Sequence, residues 1–346
     1  MGSASVFSVS ANGSLCASPA CVQQTQGIVA DARAALRVSP ELRFKWQLGG
    51  TKENFMAVWN STERTDRLVA ELAAFTHANS DVAHGITLDY EEHYRDNESA
   101  VKHGMTAFLR KFKESTGHGT NWWGDNFQFK NLADVAAVQP YIDFVEFNGY
   151  FDDDQSYDSK SGWNPHVFEL NHATELIQKF GYKSSQILLG IGLSSYSWMN
   201  TPKSVLAECA WNGRLGCCPG CAADQGVHCF ASNRASHSSL GGSGFRGQLW
   251  DKTVADIQAG RAVKWRYNST RGSYEPYDLS SYGLFYPSAA NASVGELTFF
   301  NDVSDLERFT DTAKRLDFAG VYTWVATSDA LDWRVHRRLW KALNAD

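Results

Sequence analysis

Short apolar runs alternate with amphipathic stretches along most of this chain, and that alternation limits the fold more than any other feature. The pattern predicts strands over Val6–Ser10, Arg43–Leu48, Gly85–Glu91, Phe144–Tyr150, Ile187–Leu193 and Gly320–Val325. Between them it predicts helices over Thr25–Arg37, Thr65–Ala78, Ala100–Ser115, Leu132–Val138, Val167–Phe180, Leu306–Leu316 and Trp333–Leu343. Residues 119–129 are ambiguous and can be read as a strand running into Trp122-Trp123. Strands that alternate with helices are joined by crossovers, so the sheet is expected to be parallel.

The α/β alternation and a length of 346 residues suit a (β/α)8 barrel of the TIM type with one insertion. The insertion spans residues 199–282 and is rich in Gly, Ser and Cys. It holds Cys209, Cys217, Cys218, Cys221 and Cys229, five of the seven cysteines. Cys218-Pro219-Gly220-Cys221 has CxxC spacing with His228 nearby, but no second CxxC matches it, so disulfides are preferred to a metal. Cys16 and Cys21 are close enough to bridge a loop. The odd total leaves one thiol over.

Composition removes several function classes. Apolar content of 43% and charged content of 20% are those of a globular domain. A formal charge of −6 with no Lys/Arg run argues against a nucleic-acid surface. No window approaches the roughly 18 apolar residues a membrane span needs. The 12 Trp are numerous, and Trp faces are the platforms on which sugars stack, although core packing uses them too. Asn-x-Ser/Thr sequons begin at Asn12, Asn60, Asn97, Asn268 and Asn291, which favours a glycosylated, secreted or lysosomal protein. Met1-Gly2-Ser3-Ala4 lacks the basic start and apolar run of a signal peptide, so the N-terminus is expected to be incomplete. No nucleophile elbow, dinucleotide loop, P-loop or zinc-protease motif is present, so no cofactor is implied.

The chemistry is concentrated in Gly85-Ile86-Thr87-Leu88-Asp89-Tyr90-Glu91. In a strand, Thr87, Asp89 and Glu91 share one face, and Ile86, Leu88 and Tyr90 share the other. The two acids then stand roughly 7 Å apart along the strand. Neighbouring carboxyls raise each other's pKa and resist burial, so a purely structural strand has little use for them. Acid catalysis does: one carboxyl holds a proton to donate, and the other stays charged to orient or stabilise.

This strand resembles the Asp-Gly-x-Asp-x-Asp-x-Glu signature of glycoside hydrolase family 18, the chitinase and chitobiase-like family. Here it reads His84-Gly85-Ile86-Thr87-Leu88-Asp89-Tyr90-Glu91, so the last two acids match and the first two do not. Other segments fall in family order. Val6 to Leu15 is similar to the second barrel strand and its turn, and Gln47-Leu48-Gly49-Gly50 to the Ser-x-Gly-Gly motif of the third. Phe147-Asn148-Gly149-Tyr150-Phe151-Asp152 is similar to the Met-x-Tyr-Asp segment of the sixth, and Gly190 to Tyr196 to the seventh. Gly320-Val321-Tyr322-Thr323-Trp324 is similar to the eighth. In that alignment the barrel lacks its first strand, which would leave two unpaired edges.

The resemblance implies a retaining hydrolase of N-acetylglucosamine glycans in which the substrate's 2-acetamido group is the nucleophile, an exception to the two-carboxylate scheme. It implies that Glu91 protonates the leaving oxygen and then activates water. Asp89 would hold the acetamido N–H, and Tyr150 would hydrogen-bond the attacking carbonyl oxygen. Trp324 would floor the sugar, and Asn148, Asp152 and Tyr196 would bind substrate. The expected partner is an N-acetylglucosamine-containing oligosaccharide, and the protein is expected to be a monomer. Thr87 cannot carry the charge of the acid it replaces, so the pKa of Asp89 is expected to be lower than it would be beside an acid at position 87, and activity to be reduced or its pH optimum moved toward acid. His84 is expected to be structural. The rival reading is a weakly active or inactive lectin on the same barrel; retention of Glu91 favours catalysis.

Overall fold

In a computed structural model the described residues are 2–15, 19–89, 99–124, 134–147, 165–192, 196–202, 258–261, 263–267, 281–300, 303–324 and 334–344. They divide into two compact units, Met1–Phe147 with Glu175–Ile187, and Asn148–Thr174 with Leu188–Asp346.

The first unit carries β1 (Gly2–Ser8), α1 (Pro19–Val38), β2 (Phe44–Gly49), α2 (Lys52–Trp59) and α3 (Thr62–Ala78). It continues with β3 (Ile86–Asp89), α4 (Ser99–Thr116), β4 (Thr120–Gly124), the short helix α5 (Val135–Val138) and β5 (Ile142–Phe147). The five strands pair in chain order, β1-β2-β3-β4-β5, and every pair is parallel. Both faces of the sheet are buried, as parallel sheets require. One face is apolar. Trp46 and Leu48 of β2, Ile86 and Leu88 of β3, Trp122 of β4 and Val145 of β5 are almost wholly inaccessible. Phe7, Trp46 and Phe75 form a ring cluster joining β1, β2 and α3, with centroids 4.8 to 5.6 Å apart. The Trp46 indole N–H donates to the Val82 carbonyl at 3.0 Å, so the ring is buried without losing its polar bond.

Local signals set the helix starts. Thr51 caps α2 by accepting from the Asn54 N–H, and Ser61 caps α3 by accepting from the Arg64 N–H. Pro19 is the first residue of α1, where its missing N–H costs nothing. In that helix Cys21 is disulfide-bonded. The Asn12-Gly13 turn has Gly13 at φ 88°, and a Cβ there would lie 2.4 Å from the Arg64 carbonyl oxygen. Among the described residues the strand and helix predictions hold within about four residues, except that α1 starts at Pro19 rather than Thr25 and that α2 is not predicted. Eight residues after a Gly-Gly pair are too few for a clear helical period.

The second unit contains most of β6 (Ile187–Gly192), a sheet inserted after it, α7 (Val303–Arg315), β11 (Gly320–Trp324) and α8 (Arg334–Leu343). The helix α6 (Pro165–Phe180) has residues in both units. β6 and β11 pair in parallel, Leu188 opposite Gly320 through Gly192 opposite Trp324. Leu170, Leu189, Ile191, Leu306, Phe309 and Leu339 form their apolar core. The inserted sheet is antiparallel, in the order β7-β10-β9-β8, from β7 (Tyr196–Pro202), β8 (Val263–Tyr267), β9 (Ser281–Pro287) and β10 (Val294–Phe300). Its strands begin three residues before the predicted insertion and extend past its end, and no strand was predicted in it. Val263-Lys264-Trp265-Arg266-Tyr267 alternates as a strand should. The predicted Cys-rich segment itself lies almost wholly outside the described residues. Seven strands take part in parallel pairs among the described residues, one fewer than a full barrel.

Candidate active site

The polar face of the first unit is built in layers set by strand register. The layer nearest the N-terminal ends of the strands holds Lys45 and Asp143. Between them lie Gly85 and Gly119, and the missing side chains let the lysine reach across. A Cβ on Gly85 would meet Lys45 Nζ at 3.1 Å, and one on Gly119 would meet Asp143 Oδ1 at 1.9 Å. Lys45 Nζ ion-pairs with the Asp143 carboxylate and donates to the Gly119 carbonyl at 3.1 Å. A bulge in β5 provides the acid: Thr120 pairs with Ile142 and Asn121 with Phe144, so Asp143 is the extra residue. Burial pulls the Lys45 pKa down, and Asp143 opposes that shift.

The middle layer runs Gln47, Thr87, Asn121, Phe144 across β2 to β5. The third layer, toward the C-terminal ends, holds Asp89 on β3 and Glu146 on β5, both level with Trp123 of β4. Two diagonal bonds join these layers. The Gln47 amide donates to Asp89 Oδ2, and the Asn121 amide donates to Glu146 Oε1. In each case an amide reaches one layer up to a carboxyl on the next strand. Gln47, Thr87 and Asn121 are buried, whereas Asp89 and Glu146 are half-buried. Burial pushes Asp89 up to about 6, against the Gln47 hydrogen bond. It pushes Glu146 up to about 7, against the Asn121 hydrogen bond and the charge of Lys45. Both groups can therefore exchange protons near neutrality.

For Asp89 the shift is upward, and its cause is burial. Thr87 is a neutral neighbour, but loss of water at the carboxyl outweighs the one donor it receives. His84 is structural as expected: its Nδ1 accepts the Phe44 N–H at 3.1 Å. Of the predicted site residues, Asp89 lies on the polar face. Glu91, Asn148, Tyr150 and Asp152 lie outside the described residues. Trp324 ends β11 opposite Gly192. Tyr196 does not extend β6, which stops at Gly192; it opens β7 and pairs with Phe299 of β10. Sequence reasoning missed the Gln47, Asn121 and Glu146 side chains. The available signal was a polar residue at every second position of strands otherwise read as buried. Among the described residues no three His, Cys, Asp or Glu side chains gather as metal ligands would.

The profile of glycosyl hydrolases family 18 matches residues 10–329. No curated protein matches the chain in sequence. Solved structures do match in fold. A mutant class V chitinase from Nicotiana tobaccum in complex with NAG4 is 13% identical, with a TM-score of 0.68 over 98% of this chain and 91% of that one. A Group IV chitinase from Ostrinia furnacalis is 12% identical, with a TM-score of 0.69 over 98% and 90%. A chitinase-like agglutinin from Robinia pseudoacacia is 12% identical, with a TM-score of 0.64 over 98% and 91%. The parallel strands alternating with helices, the polar layers they carry and the profile match agree: this chain is a (β/α)8-type protein of glycosyl hydrolase family 18.

Proposed function

We propose that this chain hydrolyses β-1,4-linked N-acetylglucosamine glycans, either chitooligosaccharides or the chitobiose core of N-glycans, with retention. One observation carries the reading. Asp89 stands half-buried at the C-terminal end of β3, gripped by the Gln47 amide and titrating at about 6, two residues before Glu91. The C-terminal ends of barrel strands are where such folds carry out chemistry.

In this reading Glu91 protonates the glycosidic oxygen as the bond to the anomeric carbon breaks. The substrate's acetamido oxygen attacks that carbon from the other side, and Tyr150 holds it in line. Asp89, ionised, accepts the acetamido N–H and balances the charge of the oxazolinium that forms. Water, deprotonated by Glu91, then opens the ring with a second inversion. Below pH about 6 Asp89 is protonated and cannot accept that N–H, so the acid limb of kcat/KM belongs to it. Trp324, Asn148, Asp152 and Tyr196 bind the sugar in the same reading.

A lectin is the second reading, favoured by the agglutinin among the structural neighbours and by Thr87 in place of an acid. Release of a chromophore from N-acetylchitooligosaccharide glycosides separates the two. Hydrolysis by the wild type, with a loss of roughly 10²-fold or more in Glu91→Gln, supports the enzyme. Equal rates for the two proteins would remove Glu91 from the mechanism, and binding without turnover would make the chain a lectin.

A secretory location is part of the proposal. Among the described residues the sequon asparagines Asn12, Asn60 and Asn291 are exposed and open to glycosylation. A mass shift on enzymatic deglycosylation of the protein from its native source is the expected sign; an unmodified mass at all three would remove this support.

A further inference from the structure

We infer that Glu146 is a second sugar-binding carboxyl of this site, set level with Asp89 and contacting a hydroxyl or acetamido N–H of the bound oligosaccharide. The inference rests on the proposed reading that N-acetylglucosamine units occupy the C-terminal end of these strands, and it adds a residue that no motif in the chain pointed to.

Register places the two acids. Asp89 and Glu146 both pair across β4 with Trp123, so they lie at one height, two strands apart. At about 4.8 Å per strand their backbones are roughly 10 Å apart, close enough for one bound oligosaccharide to meet both carboxyls. The same support holds each: an amide one layer down, Gln47 for Asp89 and Asn121 for Glu146. The middle-layer polar side chains are buried, and the two acidic residues above them are half-buried. Glu146, like Asp89, therefore lies one layer nearer the C-terminal strand ends than the amide that supports it.

The bonds made by this layer leave room for a ligand among the described residues. Among the described residues Glu146 makes one hydrogen bond, through Oε1. Asn121, only 1% exposed, leaves its Oδ1 with no partner among the described residues. A buried acceptor without a donor is costly, and a carboxyl beside it can accept from a sugar or, when protonated, donate to one. Among the described residues the charge acting on Glu146 is that of Lys45, itself paired with Asp143 one layer lower. Protonated and ionised Glu146 offer a sugar different partners, so affinity should change across its titration.

The test is calorimetric binding of N-acetylchitotetraose to wild type, Glu146→Gln and Glu146→Asp from pH 5 to 9, with kcat and KM on the same proteins. In the wild type, affinity is expected to change about tenfold across pH about 7. Glu146→Gln, whose amide oxygen can still accept from Asn121, should lose the change centred at pH about 7 while keeping the one that Asp89 sets at about 6, raise KM and leave kcat within about threefold. Glu146→Asp should retain the pH dependence with weaker binding. Overlapping affinity and pH profiles in wild type and Glu146→Gln would overturn the assignment while leaving the function standing. Failure of the wild type itself to bind the tetramer at any pH would instead overturn the functional reading, and this inference with it.

Discussion

Removing Asp143 should damage the protein more than removing Lys45, although the two form one ion pair. The Lys45 side chain is 4% exposed and that of Asp143 is 34% exposed. In Asp143→Asn an ammonium stays in the protein without its counter-charge, and breaking a buried pair in this way costs about 3–5 kcal/mol. In Lys45→Met the orphan is a carboxylate that water already reaches, and the methionine stem fills the space over Gly85 and Gly119. The remaining cost is mainly the Gly119 carbonyl losing its donor, about 1–2 kcal/mol. The asymmetry depends on pH in a known direction. Burial already holds the Lys45 pKa below its ordinary value, and without Asp143 it falls further. The unfolded chain then binds the proton more tightly than the folded one, so Asp143→Asn should gain stability as pH rises toward about 10. Urea unfolding followed by tryptophan fluorescence suits the test, because Trp46 and Trp122 are buried in this unit. A Lys45→Met variant as unstable as Asp143→Asn, or an Asp143→Asn stability flat between pH 7 and 10, would refute the reasoning.

Other expectations follow from the same layers. Gly119→Ala places a methyl 1.9 Å from Asp143 Oδ1, and overpacking of this kind should lower stability by about 1–3 kcal/mol in the same urea assay, more if the ion pair breaks. Gln47→Leu removes the donor that opposes burial, so carbon-13 NMR of the Asp89 carboxyl should show its pKa rise above about 6 by roughly one unit or more. The wild type should lose stability relative to Asp89→Asn as pH rises from about 4 to about 6. The folded Asp89 holds its proton over that window while the unfolded one has released it, and parallel stability curves for the two proteins would contradict this.

The strand–helix alternation was legible because both faces of a parallel sheet are covered, so each strand reads as a compact apolar run between helical periods. Asp89 was legible too, because an acid two positions from another in such a strand is anomalous. Glu146 is anomalous in the same way, but Asp143-Phe144-Val145-Glu146-Phe147 conceals it. The bulge at Asp143 breaks the alternation, and only the register with β4 shows that Glu146 shares a layer with Asp89. The Gln47 and Asn121 contacts join residues 42 and 25 positions apart, and no local pattern encodes such pairs. The inserted sheet went unread because long segments rich in Gly, Ser and Cys separate its strands, which hid alternations such as that of β8. The upward shift of Asp89 comes from burial, which the residues around Thr87 do not show in sequence.

Proton NMR of N-acetylchitotetraose during its first minutes with the wild-type protein most directly tests whether these carboxyls serve a retaining glycosidase. Cleavage is expected, with the new reducing ends appearing first as the β anomer and only later mutarotating. Initial α anomer, or an intact tetramer whose signals broaden on binding and never convert, would contradict it.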